Sequence, residues 1–165
     1  MLKMREYFKE DGSQRKVAKF LLKNGLSIET GEIYCDKVKI PKENLSEHLR
    51  ISVNTIDETI DLIEDHIDLK EIFRNLRPTA YFGRIADQID AGVIEITPTD
   101  PHGVGILAGV TKIIADFDIS IRQCLTEDSE LKEDPKLIVI TEDTIPLKAL
   151  EKIREVEGIE GVELY

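Results

Sequence analysis

The sequence lacks long apolar segments and a secretory signal. No stretch approaches the roughly 20 consecutive apolar residues that a membrane-spanning helix needs, and residues 1–10 have no apolar centre of the kind found in signal peptides. These two absences predict a cytoplasmic protein that makes no contact with a membrane.

Cysteine and histidine are also scarce. Cys35 and Cys124 lie far apart and neither belongs to a C-x-x-C motif, which favours reduced thiols that pack as small apolar groups. The three histidines are scattered along the chain, whereas metal sites in proteins usually need three or four ligands. We therefore expect no metal site and no cofactor.

Enzyme motifs are missing. The chain contains no G-x-S-x-G, no P-loop, no Rossmann glycine pattern and no H-E-x-x-H, which are the short patterns that carry nucleophiles, phosphate-binding loops and zinc ligands. The sequence predicts a protein that is not an enzyme and that has no catalytic residues.

Basic residues are few in the second half of the chain. The net charge is −11, from 22 Lys and Arg against 33 Asp and Glu. Residues 1–90 carry 15 basic and 17 acidic side chains, whereas residues 91–165 carry 7 and 16. Because nucleic-acid affinity depends on neutralising phosphates, any DNA contact must come from the first half.

Helical patterns fill that first half. One helix is predicted to end near Asn24 and Gly25, which form a stop signal, and residues 37–40 alternate charged and apolar side chains, as in an extended segment. Pro41 suits the first turn of a helix over residues 42–49. After a break at residues 50–52, a further helix begins.

This further helix has a regular apolar stripe and an acidic outer surface. Asn54 can cap its start, with Asp57 three residues on. Two short helices joined by a three-residue turn are the helix-turn-helix pattern, and residues 69–76 continue with another short helical face. The stripe consists of Val53, Ile56, Ile60, Ile63 and Ile67.

The second half alternates short β-branched runs with amphipathic helices. The strands are predicted at residues 93–97, 119–123, 137–140 and 162–164, with helices over 106–117 and 146–153. The resulting order is β-α-β-β-α-β, the split β-α-β arrangement. Both helices would cover one face of the sheet and leave the other free for a second copy of the chain, which predicts a dimer.

The run from Gly105 to Asp116, followed by Ile119-Ser120-Ile121, resembles the opening of ACT domains, small ferredoxin-like ligand-sensing domains. With the helix-turn-helix in front, the whole chain resembles archaeal predicted regulators of amino-acid metabolism that contain an ACT domain. The resemblance implies an α+β protein with three parts: a mainly helical, winged-helix-like helix-turn-helix domain over residues 1–78, a connecting helix or linker over 79–91, and a ferredoxin-like ACT domain over 92–165. It also implies an amino-acid effector and a homodimer formed through paired ACT domains.

The loop of residues 100–105 is the predicted effector site. A glycine-rich connection that enters a helix exposes backbone N–H groups with the positive end of the helix dipole behind them, which suits a carboxylate, while Asp100 can meet the ammonium group. The resemblance places the ligand between this loop and the second strand of a partner chain, although the glycines and Asp100 can equally serve turn geometry alone. His102 stands where the family often has Asp. The predicted ligand-binding residues are Asp100, His102, Gly103, Gly105, Ile106, Leu107, Ser120, Arg122 and Gln123.

Two hypotheses describe how such a regulator would act. The first is transcriptional regulation, as the resemblance implies, through DNA contacts from the helix-turn-helix. The second is a regulatory subunit that docks on a biosynthetic enzyme, which the lack of Lys and Arg in residues 53–68 favours, because an acidic helix repels the duplex. The candidate DNA-contacting residues are Lys37, Lys39, Lys42, Arg50, Asn54 and Thr55.

Overall fold

A computed structural model describes residues 4–10 and 12–165. The chain contains helices and two antiparallel β-sheets, as expected for an α+β protein. Its contacts divide it into two compact units, a first unit that ends at Ala80 and a second unit over Tyr81–Tyr165. Among the described residues, no helix has both the length and the apolar character needed to cross a membrane.

The first unit has five helices in its described part, and the end of the second of them is fixed by a glycine. Gly25 adopts a left-handed conformation (φ 61°). Its N–H donates to the carbonyl of Leu22 and the Leu26 N–H donates to that of Leu21, as in glycine-terminated helices generally. A Cβ on Gly25 would collide with the carbonyl of Arg77. The helices are α1 (Met4–Tyr7), α2 (Ser13–Asn24), α3 (Lys42–Leu49), α4 (Val53–Asp65) and α5 (Ile67–Arg74).

A three-stranded antiparallel sheet lies between α2 and α3 in the chain. Its strands are β1 (Ser27–Glu29), β2 (Glu32–Cys35) and β3 (Val38–Ile40), paired in the order β1-β2-β3. Ile28 and Ile33 are paired and buried in the core of the unit. The sequence pattern predicted only the last of these strands.

The two helices on either side of the predicted break are present, with one correction at the cap of the second. Helix α3 spans the predicted residues, and α4 begins after the predicted three-residue break. The cap of α4 is Ser52, whose side-chain oxygen accepts the Thr55 N–H, and not Asn54. Asn54 lies inside the helix and donates to Glu58. Ser52 takes this role because its backbone is extended (φ −62°, ψ 149°) while the residues after it are helical.

The apolar stripe of α4 ends earlier than the sequence predicted. His66 has an extended backbone (ψ 112°), which ends α4 and starts α5 in a new direction. Ile67 therefore points outward and is 76% exposed, although it was predicted to continue the stripe. Leu69 and Phe73, one turn apart on α5, are fully buried in its place.

The second unit has the predicted β-α-β-β-α-β order. Its four strands form one antiparallel sheet in the order β5-β6-β4-β7, so β4 and β6 are central. The elements are β4 (Val93–Pro98), α6 (Ile106–Asp116), β5 (Ile121–Thr126), β6 (Leu137–Thr141), α7 (Leu147–Arg154) and β7 (Ile159–Leu164).

One face of this sheet packs on the two helices. Ile94 and Ile96 of β4 and Val139 of β6 are fully buried there, against Val110 of α6 and Ile153 of α7. Strand residues alternate between faces, so their neighbours along the strands point to the other side of the sheet. That side needs its own cover.

The other face is covered by the chain itself, which corrects the prediction of a free face. A 3-10 helix (Phe82–Ile89) lies against it, with Ala86 packed among Val93, Ile138 and Ile140. Ala86 is 4% exposed and Ile140 is fully buried. The residues predicted as a connecting helix are thus part of the core of the second unit. An uncovered sheet face consequently gives no argument for a dimer.

We expect the variant Ala86→Asp to destabilise the second unit by about 2–4 kcal/mol, because it places a carboxylate in an apolar contact with the sheet. The matched control is Ile85→Asp on the same 3-10 helix, since Ile85 is 44% exposed, and it should cost less than about 1 kcal/mol. Urea unfolding followed by circular dichroism measures both. Equal stability of the two variants would contradict the packing of this helix on the sheet.

Candidate functional site

The loop after β4 is a tight turn that Asp100 holds closed. One carboxylate oxygen of Asp100 accepts the His102 N–H at 2.9 Å, and its carbonyl accepts the Gly103 N–H at 2.9 Å. Thr99 anchors the start of the loop, because its N–H and its hydroxyl both donate to the carbonyl of Gly158, at 2.9 and 3.2 Å. Asp100 and His102 are both exposed. The carboxylate of Asp100 therefore has a turn-forming role, with its second oxygen left for other contacts.

Helix α6 starts directly after this turn. Gly105 is its N-cap residue, with φ 90°, and offers no side chain to cap the helix. The first N–H groups of an α-helix have no partner within the helix, and the helix dipole adds positive character there. The backbone at Ile106 and Leu107 thus presents hydrogen-bond donors at the point where the loop ends.

A small cavity lies beside the start of α6, at the end of the sheet where β4 and β5 finish and β6 begins. Its volume is about 90 Å³, and its walls are mainly apolar. Of the predicted site residues, Gly103, Ile106 and Leu107 line it. The other lining residues are Pro98, Pro101, Thr126, Glu127, Pro135, Lys136 and Leu137.

Two of the lining residues, Glu127 and Lys136, have charged side chains. The Lys136 ammonium lies 3.0 Å from a Glu95 carboxylate oxygen and 3.5 Å from Glu163. The hydrogen bond to Glu95 is the largest cause that raises the pKa of Lys136 above its ordinary value. Glu127 pairs with Lys132 at 2.5 Å. The lining of the cavity therefore includes one acidic and one basic residue, and the acids that bind the Lys136 ammonium lie outside the lining.

Sequence reasoning missed Glu127 and Lys136 as lining residues. They lie on either side of an acidic connection, and only strand pairing brings them together. The register pairs Thr126 with Leu137, and Glu127 and Lys136 then exchange hydrogen bonds through the Glu127 N–H and the Lys136 N–H. If the predicted strands at residues 119–123 and 137–140 had been paired as antiparallel neighbours, Glu127 and Lys136 would have been expected to lie close together.

The predicted second-strand residues lie at the other end of β5. Gln123 accepts the Phe82 N–H through its amide oxygen at 3.1 Å, and the Arg122 guanidinium lies 5.8 Å from the centre of the Phe82 ring. Arg122 also lies 3.6 Å from Glu142, and Ser120 is exposed. Within one chain Arg122 and Gln123 contact the start of the 3-10 helix, and neither of them nor Ser120 lines the cavity beside the loop. A shared site needs a second chain.

The predicted DNA-contacting lysines of α3 and β3 are paired with acids. Lys42 forms an ion pair with Asp57 at 2.6 Å, and Lys39 forms one with Glu32 at 2.9 Å. Lys37 is exposed in the turn between β2 and β3. Two of the three lysines are therefore already neutralised within the first unit.

The predicted base-reading residues of α4 also have partners of their own. Asn54 donates to Glu58 at 2.7 Å, and the Thr55 hydroxyl lies 2.9 Å from that of Ser52. Arg50 is exposed at the end of α3, in a left-handed conformation. The start of α4 thus presents one exposed cation beside an acidic helix.

The histidines and cysteines were further candidates for a site. No three His, Cys, Asp or Glu side chains in residues 4–10 and 12–165 are grouped to hold a metal ion. Cys35 and Cys124 are free and half-buried, and burial raises the pKa of the Cys124 thiol. A raised thiol pKa lowers the thiolate fraction and hence the reactivity.

The chain is similar to solved structures at low sequence identity. No family model and no curated protein matches the chain. The chain is similar to the C-terminal domain of the MgtC protein from Mycobacterium tuberculosis (13% identity, 47% of this chain and 86% of that one, TM-score 0.37). It is also similar to two AsnC-family transcriptional regulators, one from Pyrococcus furiosus (14%, 94% and 87%, TM-score 0.27) and one from Agrobacterium tumefaciens (14%, 92% and 86%, TM-score 0.28). Scores this low assign no family.

The Lys136 ion pairs should give the stability a dependence on alkaline pH. The folded-state pKa of Lys136 is raised. The contribution of its ion pairs to the unfolding free energy is therefore fully present below the unfolded-state pKa of the lysine, and it is lost as the pH rises through the folded-state pKa. We expect the difference in unfolding free energy between the native chain and Lys136→Met to be constant from neutral to mildly alkaline pH, and to shrink above the ordinary value of 10.5. Urea unfolding at a series of pH values measures it. A difference that grows with pH would contradict the pairing.

Proposed function

We propose that this chain is an amino-acid-responsive regulatory protein of the ACT type, whose second unit binds the effector. The observation that carries the proposal is the start of α6, which follows a glycine cap without a side-chain hydrogen bond and stands beside a mainly apolar cavity that Glu127 and Lys136 also line. The resemblance of residues 105–116 to the opening of ACT domains supports the same reading.

The chemistry of an α-amino acid suits this place. A carboxylate fits the N–H groups at the start of α6, and an aliphatic side chain fits the apolar walls of the cavity. An ammonium group would meet the second carboxylate oxygen of Asp100 or the carboxylate of Glu127. Each of the three parts of the ligand would then meet a complementary group.

The size of the cavity argues that a second chain completes the site. Ligand pockets usually measure about 300–1,000 Å³, whereas this cavity measures about 90 Å³. One chain would therefore hold only part of an amino acid. In the ACT reading, Ser120, Arg122 and Gln123 of a second copy face the loop and close the site, which makes the effector-bound form a homodimer.

The sheet edges are the surfaces that we propose for this dimer. Strands β5 and β7 are the edge strands of the sheet, and edge strands carry unpaired backbone groups that can pair with another chain. The 3-10 helix covers the apolar part of the second sheet face. The dimer interface therefore has to be formed mainly by the edge strands and not by this face. We propose no catalytic activity for either unit.

The effector site can be tested by filling the cavity. In the native chain, isothermal titration calorimetry with each of the twenty amino acids should detect binding of at least one of them. The variant Leu107→Trp should weaken that binding about tenfold or more, because its ring occupies the space of the ligand side chain. Binding of no amino acid at about 1 mM would overturn the proposal.

The control for this experiment comes from the same loop. Val104 is 98% exposed and does not line the cavity, so Val104→Trp adds the same ring without filling it. We expect it to bind the effector as the native chain does. If both variants lose binding equally, the ligand lies elsewhere on the loop.

A specific observation favours a second output besides DNA binding. The ion pairs of Lys39 and Lys42 leave few cations around the helix-turn-helix, and α4 carries Glu58, Asp61 and Asp65 on its outer side. DNA affinity grows with the number of phosphates that are neutralised. A regulatory subunit that docks on a biosynthetic enzyme is therefore the alternative to a transcriptional regulator.

An electrophoretic shift assay at low salt on the chain's own upstream DNA, with and without the bound amino acid, discriminates these outputs. Transcriptional regulation predicts a shift that Arg50→Glu abolishes, because Arg50 is the exposed cation at the approach to α4. Docking predicts no shift, together with an altered activity of a biosynthetic enzyme when this protein is added. The control Lys70→Glu removes an exposed cation from α5 and should leave either result unchanged.

A further inference from the structure

The first unit contains a larger concavity than the proposed effector site. Its volume is about 420 Å³, within the usual range of about 300–1,000 Å³ for ligand pockets. Within residues 4–10 and 12–165, no aliphatic side chain lines it. The lining residues are Ser27, Glu29, Tyr34, Asp36, Lys37, Arg74, Asn75 and Arg77.

The polar face of the small sheet forms the floor of this concavity. Ser27 and Glu29 alternate with the buried Ile28 along β1, and the register pairs Ser27 with Tyr34 of β2. Paired residues share a face. Ser27 is only 5% exposed, so this polar face is covered at its centre and is not an ordinary solvent-facing sheet surface.

The cover comes from the end of α5, which packs against β1. The Asn75 amide donates to the carbonyl of Glu71 at 2.7 Å, and one nitrogen of the Arg77 guanidinium donates to the carbonyl of Leu76 at 2.6 Å. These bonds hold both side chains at the wall. A guanidinium has five N–H donors, so Arg77 can bind an anion while it keeps this contact.

Three cations from two separate segments meet at this concavity. Lys37 comes from the turn between β2 and β3. Arg74 is the last residue of α5, and Arg77 follows that helix. The acidic residues in the lining are Glu29 and Asp36, so the lining has a net charge of +1, whereas the whole chain has a net charge of −11. The contact between Arg74 and Glu29 is 3.9 Å long and exposed, and such pairs are weak. An incoming anion can displace it.

We propose that this concavity binds a nucleoside monophosphate. Arginine and lysine recognise phosphate, arginine through paired N–H donors. The Tyr34 ring offers a surface on which a base can stack, and Glu29, Asp36 and the Asn75 amide oxygen can accept hydrogen bonds from ribose hydroxyls or base amino groups. The volume is larger than a bare phosphate needs, and the absence of aliphatic walls disfavours a lipid or an apolar amino acid.

Calorimetry with the full chain tests the site, with AMP as the probe and adenosine and inorganic phosphate as comparisons. We expect AMP to bind, adenosine to bind at least about tenfold more weakly because it lacks the charge-assisted bonds, and inorganic phosphate to bind more weakly because it lacks the base. Lys37→Gln and Arg77→Gln should each weaken AMP binding about tenfold or more. Lys37→Gln changes an exposed turn residue, so it keeps the test valid if Arg77→Gln unfolds.

The control is Lys70→Gln, which removes an exposed cation of α5 that does not line the concavity, and it should bind AMP unchanged. Failure of AMP to bind at about 1 mM would overturn the proposal. So would binding that Lys70→Gln weakens as much as Lys37→Gln, since the attraction would then come from general charge. If adenosine bound as tightly as AMP, the proposed recognition of phosphate by the cations would be wrong. If inorganic phosphate bound as tightly as AMP, the proposed recognition of the nucleoside would be wrong. None of these outcomes bears on the effector site of the second unit.

Discussion

Strand β6 is buried at all five of its positions, and the second unit is organised around that fact. A strand with apolar side chains on both sides needs cover on both faces of its sheet. Helices α6 and α7 supply it on one face, and the 3-10 helix supplies it on the other. The 3-10 helix is thereby part of the core of the second unit. Arg122 and Gln123 of β5 contact Phe82, the first residue of this helix.

Because both faces of the sheet are covered, the candidate ligand site lies at the end of the sheet. With both faces covered, open space remains where β4 and β5 end and β6 begins, beside the start of α6. Helix starts and strand ends leave backbone groups without partners, so polar recognition is available there without breaking the core. Glu127 and Lys136 line the same cavity. The cavity borders the core, because Ile106 and Leu137 belong to both. Leu107 is exposed, so a change at that position need not disturb the sheet.

Local patterns predicted the elements that are long or clearly capped. The helix over Lys42–Leu49 and the β-α-β-β-α-β order of elements along the second unit follow from periodicity and stop signals. The hairpin of β1 and β2 was missed because its strands have three and four residues and its turn uses Thr30 and Gly31, both with positive φ. Such turns are usually signalled by Asn-Gly or Asp-Gly. The cover of the sheet by the 3-10 helix depends on tertiary packing, and the two concavities join residues from separate elements, so neither is visible in local patterns.

The acids of α4 have structural roles that charge counting alone does not reveal. Asp57 binds Lys42 of α3, and a Glu64 carboxylate oxygen accepts the Gly31 N–H of the β1–β2 turn at 3.2 Å. These two acids tie α4 to the helix before it and to the small sheet. Neutralising them to favour a DNA duplex would loosen the first unit. Glu58 and Asp61, on the outer side, are exposed, and they would still meet the phosphates if α4 entered a major groove. The helix is thus better suited to hold the unit together than to read DNA, whereas the cations that line the concavity of this unit come from the end of α5, the segment after it and the β2–β3 turn.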